Sequence, residues 1–140
     1  MLRKMNFYTG ENHTYVICAY QESVYLEDCI LSLKKQKVAS NIIMVTSTPC
    51  SHIVALSRKY EIPLYINEGE HGIAGDWNFG LSMVKTEIAT IAHQDDIYEP
   101  WYTESVLETA NKSRHPLIIF TDYGEIRNDK IGRASCRERV

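Results

Sequence analysis

The feature that most constrains the fold is an alternation along the chain between short apolar runs and segments with helical spacing. The runs are TYVICAY, NIIMVTS, IPLYIN, EIATIAH and PLIIFTDY, at residues 14–20, 41–47, 62–67, 87–93 and 116–123. Strands that are covered on both faces read as nearly continuous apolar runs of this kind. Repeated strand–helix–strand units predict an α/β, Rossmann-like fold with a mostly parallel sheet, right-handed crossovers and helices on both faces.

Four predicted helices lie between these strands. Ser23 and Ser51 are the predicted N-caps of the first two helices. Pro100 suits the first turn of the fourth helix, and the early proline of the run at 62–67 predicts a strand at or near a sheet edge. The first helix has apolar residues at i, i+3, i+4 and i+7, namely Leu26, Cys29, Ile30 and Leu33. The third is predicted to turn its large apolar residues inward: Ile73, Trp77, Leu81 and Val84.

Size and charge exclude several classes of protein. A chain of 140 residues, of which 44% are hydrophobic, fits one domain with a real core. The formal net charge of −3 and the lack of a basic stripe with interleaved aromatic residues argue against binding to nucleic acid. The apolar runs are too short to span a bilayer, and the first twenty residues contain no signal-peptide core. We therefore predict a cytoplasmic domain without a transmembrane segment, in which the four cysteines stay reduced.

Polar residues follow the first, second and fourth predicted strands, at residues 21–22, 46–48 and 93–96. Ligands of open parallel sheets bind outside the carboxyl ends of the strands. The adjacent carboxylates Asp95 and Asp96 suit a hard cation such as Mg²⁺ or Mn²⁺, and His93 adds a nitrogen that Mn²⁺ tolerates. The alternative is that Asp96 caps the helix that begins near Pro100, with Asp95 exposed to water.

Three segments together resemble glycosyltransferase family 2, whose members have the GT-A fold. YVICAYQESVYLEDCILSLKKQ resembles the family's opening pattern V-x-I-P-x-Y-N-E, followed by Y-L-x-x-C-I-x-S-L. GIAGDWNFGL occupies the place of the segment G-x-A-x-A-R-N-x-G, and IATIAHQDDIYEP resembles the strand that ends in the D-x-D metal motif. The segments follow one another in the family's order between residues 15 and 123. The resemblance therefore implies the nucleotide-binding, N-terminal part of such an enzyme.

The resemblance also implies particular binding residues for a nucleotide-diphosphate sugar donor and a divalent cation, Mg²⁺ or Mn²⁺. Asp95 matches the second aspartate of D-x-D, which holds the metal, whereas His93 stands at the first. Thr46 replaces the family's acidic group and offers a hydroxyl without the charge. Trp77 replaces an arginine, and its helical spacing predicts a core residue, with stacking on a sugar as the alternative. The predicted nucleotide-sugar-binding residues are Ala19, Tyr20, Glu22, Thr46, Asn78, Gly80, His93 and Gln94.

The activity that the resemblance implies is inverting transfer of a sugar to an acceptor hydroxyl on a glycan or a lipid-linked molecule, in polysaccharide biosynthesis. Such an enzyme would work in the cytoplasm, at the inner membrane face when full length. No residue of this chain matches the family's catalytic base, so we predict donor binding without transfer. The alternatives are a non-catalytic nucleotide-sugar-binding module and a phosphate-binding receiver-like domain. A receiver needs a lysine after its fifth strand, whereas the fifth predicted strand here ends in Thr121, Asp122 and Tyr123.

The last ten residues, IGRASCRERV, continue no periodicity seen upstream. All ten match, in one reading frame, the translation of a common short-read sequencing adapter, and segments of this kind are excluded from fold reasoning. A natural basic tail is the alternative. We therefore predict a GT-A-like nucleotide-sugar-binding domain at residues 1–130, incomplete at its C-terminus, and a non-native tail at residues 131–140.

Overall fold

A parallel sheet of four strands forms the centre of the computed structural model, which describes residues 7–114, 116–127 and 130–133. The strands are β1 (His13–Cys18), β2 (Asn41–Thr46), β3 (Leu64–Ile66) and β4 (Ile88–His93). Their order in the sheet is β3-β2-β1-β4, and every neighbouring pair is parallel. The α/β prediction is confirmed, and β3 lies at an edge as its proline predicted.

The four predicted helices are present, but their caps differ from the prediction. They are α1 (Leu26–Lys34), α2 (Ser51–Lys59), α3 (Ile73–Met83) and α4 (Tyr102–Lys112). Tyr25 and Cys50 occupy the N-cap positions of α1 and α2, and neither makes a side-chain cap. The predicted caps were wrong because the N-cap of α1 lies two residues later than predicted and that of α2 one residue earlier. The Ser23 hydroxyl accepts a hydrogen bond from the Tyr25 amide within the preceding turn, and Ser51 is the first residue of α2.

One face of the sheet, which we call the closed face, carries the main core and the helices α1, α2 and α4. Tyr15, Ile17 and Met44 project from it and are fully buried. The Tyr15 hydroxyl lies 2.6 Å from the Thr103 hydroxyl and so joins α4 to the sheet. The four predicted apolar residues of α1 are all buried against this face. The 3.6-residue pattern thus located the inner side of α1 correctly.

The opposite face of the sheet, the open face, is covered by α3 alone among the described helices. A Cβ atom at Gly80 would lie 2.5 Å from Val16 Cγ1 and 3.2 Å from Val45 Cγ2, so the helix touches the strands through a residue without a side chain. The buried residues of α3 are Gly75, Asp76 and Gly80. Of the four predicted inward residues, three are instead 73%, 36% and 46% exposed: Ile73, Trp77 and Leu81. The fourth, Val84, is half-buried and occupies the C-cap position after the helix. The predicted orientation was wrong because small residues, and not large apolar ones, make this close contact.

The segment from β4 to α4, residues 93–100, lies along α1. Three hydrogen bonds join this segment to α1 and to the residues just after it. Cys29 Sγ donates to the His93 carbonyl, and the Tyr98 amide donates to Ser32 Oγ. Beyond the helix, Gln36 Nε2 donates to the Glu99 carbonyl. The helix α4 begins only after this segment, with Trp101 at its N-cap. Asp96 therefore does not cap α4, and that alternative was wrong.

The predicted fifth strand is absent from residues 116–123. Leu117, Ile118 and Phe120 are 97%, 71% and 86% exposed, and none of the described residues pairs with the outer edge of β4. The prediction was wrong because a high β-propensity gives a strand only where a partner completes the ladder. A separate antiparallel hairpin follows, formed by β5 (Gly124–Arg127) and β6 (Lys130–Arg133).

The hairpin reaches into the segment predicted to be a non-native tail, since β6 includes its first three residues. Residues 134–140 of that segment lie outside the described residues. The boundary between a native domain and a tail near residue 130 therefore stays a prediction.

Candidate functional site

The carboxyl ends of the four parallel strands lead into four loops, which we call the loop edge: residues 19–25, 47–50, 67–72 and 94–101. The ladder register sets Cys18 at the end of β1 beside Val45 of β2 and beside His93 at the end of β4. Because partners in a parallel ladder project to the same side of the sheet, the Cys18 and His93 side chains both lie on the open face. The predicted placement of the first, second and fourth loops along one edge is therefore observed.

Side chains hold the first loop to its two neighbours. The Gln94 side-chain amide makes two hydrogen bonds of 3.0 Å with the Tyr20 backbone, one to its N–H and one to its carbonyl. On the other side, the backbone N–H of Gln21 donates to the Thr48 side-chain Oγ1 at 2.7 Å. Gln21 has a φ of 51°, in the left-handed region that few non-glycine residues adopt. These contacts keep the loops after β1, β2 and β4 together where the regular strand pairing has ended.

Three of the predicted binding residues are buried and shape the loop edge from within. Ala19 and Thr46 are 1% and 0% exposed, and Gly80 is enclosed between α3 and the sheet. The Thr46 hydroxyl accepts a hydrogen bond from the Thr48 amide at 3.0 Å, which closes a tight turn after β2. Direct contact of these three residues with a ligand stays a prediction.

The other predicted binding residues are accessible. Tyr20 is 54% exposed, Gln94 is half-buried, and Glu22, Asn78 and His93 are exposed. Tyr20 lies on the first loop and Asn78 on α3, so the accessible side chains come from more than one element. Their arrangement leaves polar and aromatic groups available to a ligand.

The two adjacent carboxylates lie in a turn directly after β4, which is closed by a 3.1 Å hydrogen bond from the Asp96 amide to the His93 carbonyl. Both Asp95 and Asp96 are exposed. Partial desolvation raises the pKa of the Asp96 carboxyl, a rise that His93 opposes and Asp95 increases. Within the described ranges, no group of three or more His, Cys, Asp or Glu side chains is arranged to enclose a metal ion. A cation here would rest on one or two carboxylates and would take its other ligands from water or phosphate, as Mg²⁺ commonly does.

Asp76 is a residue of this site that sequence reasoning missed. Its side chain is buried, and its two carboxylate oxygens accept hydrogen bonds of 3.0 Å from Ser47 Oγ and from Asn67 Nδ2. Burial raises the pKa of the neighbouring Cys18 thiol to about 11, and the Asp76 charge adds to the rise, so this thiol stays protonated at neutral pH. The available signal was the spacing of Asp76 and Gly80, which are four residues apart and share a helix face.

Trp77 and His93 form an aromatic pair at the loop edge. Their ring centroids lie 5.3 Å apart, with the planes tilted by 56°. Because 36% of Trp77 is exposed, the prediction of a core tryptophan was wrong. The pair lies on the open face, where α3 meets the end of β4.

The loop edge is acidic and lacks basic side chains other than histidine. Its four loops contain neither lysine nor arginine. Their acidic residues are Glu22, Glu68, Glu70, Asp95, Asp96 and Glu99. These loops therefore offer an anionic ligand no lysine or arginine side chain. Positive charge to attract such a ligand must come from another cation.

A groove of about 530 Å³ lies away from the loop edge. Residues 7–10, which precede β1, line it together with Leu107 and Asn111 of α4. None of the predicted site residues lies in this groove, which is at the amino end of the sheet. Among the described residues, no helix has both the length and the apolar character needed to cross a membrane.

Comparisons with known proteins agree with this architecture. Residues 14–136 match the model of glycosyl transferase family 2. A search of curated proteins gives no match. Among solved structures, the fold is similar to that of the mannosyltransferase PcManGT from Pyrobaculum calidifontis in complex with GDP-Man and Mn²⁺, with a TM-score of 0.64 and 16% sequence identity. The similarity covers 79% of this chain and 34% of that chain, so the present chain spans about a third of that enzyme's length.

Proposed function

Because the chain belongs to glycosyltransferase family 2, we propose that its loop edge binds a nucleoside-diphosphate sugar for inverting transfer to an acceptor hydroxyl. The observation that carries this proposal is the pair of hydrogen bonds between Gln94 and the Tyr20 backbone. It brings the first loop, which contacts the base in the family, beside the loop that carries Asp95. One edge can then contact a base and a diphosphate at the same time.

A divalent cation, Mg²⁺ or Mn²⁺, fits the donor set of this edge. Carboxylate oxygens are the ligands that hard cations prefer, and Asp95 is the residue that we propose to hold the ion. The lack of lysine and arginine in the four loops supports the proposal, because a diphosphate would otherwise meet only negative charge. When bound, the ion would act as a Lewis acid for the departing diphosphate.

The chain's own residues would bind and orient the donor. We assign contact with the base to Tyr20 and Glu22, and contact with the sugar diphosphate to Asn78, His93 and Gln94. Ala19, Thr46 and Gly80 would act through the shape that they give to the edge. The protonated Cys18 thiol has no nucleophilic role in this scheme, since the thiolate is the reactive form.

Transfer is proposed for the whole enzyme. In an inverting displacement, the acceptor hydroxyl attacks the anomeric carbon while a base removes its proton and the nucleoside diphosphate leaves. We assign no base among the described residues and expect the present chain to bind the donor without turnover.

A glycan or lipid-linked acceptor, a role in polysaccharide biosynthesis and a position at the cytoplasmic membrane face are further parts of the proposal. For the isolated chain, the alternative is a non-catalytic binding module.

Calorimetry with GDP and UDP, each with and without Mn²⁺, tests the proposal. We expect at least one nucleotide to bind the wild-type chain more tightly with the metal, and Asp95→Ala to remove that enhancement. Asp122→Ala is the matched control, since Asp122 is exposed but lies outside the loop edge and should leave the enhancement intact. An equal metal effect in Asp95→Ala, or no binding of either nucleotide to the wild type, would overturn the proposal.

A further inference from the structure

Trp77 lies on the accessible side of α3, away from the glycines that face the sheet. The helix buries Gly75, Asp76 and Gly80 against the sheet and leaves the indole of Trp77 36% exposed beside His93. Burial of a large aromatic side chain is strongly favourable, so the accessible third of Trp77 is apolar surface that a ligand ring could still cover.

The charge of the loop edge limits how a ligand can be held there. The four loops contain neither lysine nor arginine. A ligand at this edge can therefore be attracted by a bound cation, by histidine or by neutral contacts. A tryptophan face offers such a contact to a flat ring or to the apolar face of a sugar, and it does so without regard to the ligand's phosphate charge.

We infer that Trp77 is a specificity-determining residue whose indole stacks on a ring of the donor, either the nucleobase or the sugar. The inference rests on the proposed function, because it concerns the same donor site. His93 lies beside the indole, with 5.3 Å between the ring centroids and the planes tilted by 56°. A residue that stacks should discriminate among ligands by the ring that they carry and should be indifferent to the diphosphate.

Trp101 provides a matched control. It is also exposed, at 50%, but it is the last residue of the fourth loop, which by then has run along α1 to the far end of that helix. There the Lys37 amide donates to the Pro100 carbonyl, and Lys37 Nζ lies 6.0 Å from the Trp101 ring centroid. A substitution there removes the same side chain from a surface that is remote from the end of β4. The two tryptophans also make intrinsic fluorescence assignable, since the chain contains only these two.

The test is calorimetric titration of the wild type, Trp77→Ala and Trp101→Ala with pyrophosphate, GDP and GDP-mannose, each with Mn²⁺. A stack on the base predicts that Trp77→Ala weakens GDP and GDP-mannose alike, by about 5- to 150-fold, and leaves pyrophosphate unchanged. A stack on the sugar predicts a loss for GDP-mannose alone. Trp77→Phe should restore most of the loss in either case, and Trp101→Ala should bind all three ligands as the wild type does.

Two calorimetric outcomes would overturn the inference. One is unchanged affinity of Trp77→Ala for all three ligands, and the other is an equal loss for all three, pyrophosphate included. Fluorescence checks the contact without relying on the alanine variant: in Trp101→Phe the ligand should change the emission of Trp77, and a constant emission on saturation would also overturn the inference. If only UDP binds the wild type, UDP and a UDP-sugar replace GDP and GDP-mannose in the same titrations. If neither GDP nor UDP binds, the proposed function fails instead, which separates the two failures.

Discussion

The two faces of the central sheet are built from alternate residues of the same strands, yet they differ in what covers them. Tyr15 and Ile17 of β1 project into the closed face, beneath α1, α2 and α4. Val16 and Cys18 project into the open face, where α3 approaches through Gly80 and leaves Trp77 accessible. Period-two alternation thus lets one strand contribute to a dense core on one side and to a ligand-accessible edge on the other.

The histidines show the same contrast. His13 on the closed face is fully buried, with its ring nitrogens 3.0 Å from Ser40 Oγ and 2.7 Å from Thr90 Oγ1. His93 on the open face is exposed beside Trp77. A histidine enclosed by two hydroxyls serves the fold, whereas one at the edge of the sheet is available to a ligand.

The largest expected effect lies at the centre of the closed face. Tyr15→Ala should lower the free energy of unfolding by about 3–5 kcal/mol, because it removes a fully buried ring that contacts His13, Tyr98 and Tyr102. Urea denaturation measures the change. Tyr15→Phe keeps the ring and loses only the hydroxyl bonded to Thr103, so it should cost about 1 kcal/mol. Equal losses in the two variants would show that the core depends on the hydroxyl more than on packing.

The second effect is a dependence of stability on pH that comes from the closed face. Burial lowers the pKa of His13 from 6.5 to about 4 in the folded protein. Between these pH values the unfolded chain binds a proton at His13 that the folded chain does not. The contribution of His13 to the free energy of unfolding therefore falls as the pH drops from about 6.5 to about 4, and it is constant below pH 4. The loss should reach about 3 kcal/mol.

His13→Gln isolates that effect, because all other titrating groups are shared. The difference in unfolding free energy between the wild type and the variant should shrink as the pH falls from 7 to 4.5. A difference that is independent of pH would contradict the assignment of this titration to His13.

A third effect tests the close contact on the open face. Gly80→Ala should destabilise the chain by about 1–3 kcal/mol, because its methyl group would lie 2.5 Å from Val16 Cγ1. Ser82→Ala on the exposed side of the same helix should change the free energy of unfolding by no more than about 0.5 kcal/mol. Stabilisation by Gly80→Ala, as helix propensity alone would give, would show that α3 can move away from the sheet without cost.

The smallest effect concerns the hydrogen bonds that join two loops. Gln94→Ala removes both bonds to the Tyr20 backbone, but these bonds are accessible to water, which can replace them, so we expect a loss of at most about 1 kcal/mol. Hydrogen exchange at the Tyr20 amide should nevertheless become faster. An unchanged exchange rate would mean that Gln94 does not hold the first loop.

The sequence was informative where a pattern reports burial directly. The continuous apolar runs located β1, β2 and β4, and the spacing of Leu26, Cys29, Ile30 and Leu33 identified the inner side of α1. For α3 the same pattern failed, because hydrophobicity gives no weight to a glycine that allows close approach, and Gly80 rather than Leu81 faces the sheet. Small residues at helix–sheet contacts are recognisable only when their partner strands are known.

Two other features depended on partners that are distant in sequence. Residues 116–123 have the composition of a strand, but the described part of the chain supplies no ladder partner for them. Asp76 was passed over because a carboxylate inside a helix is usually exposed, and its burial requires hydrogen bonds from Ser47 and Asn67 on other elements. Family resemblance selected Asp95 as the predicted metal ligand, a role that stays a prediction, whereas the aromatic pair of Trp77 and His93 became visible only in three dimensions.

The course of α1 beside the segment that carries Asp95 has a kinetic consequence. The bonds from Cys29, Ser32 and Gln36 to that segment close loops of 64, 66 and 63 residues. Contacts of such long range form more slowly than those within a helix, since loop-closure entropy must be overcome before they stabilise anything. We therefore expect the acidic turn to take its final place later than α1 forms, so that a partly folded chain would hold the helix before it holds a competent edge for an ion or a nucleotide.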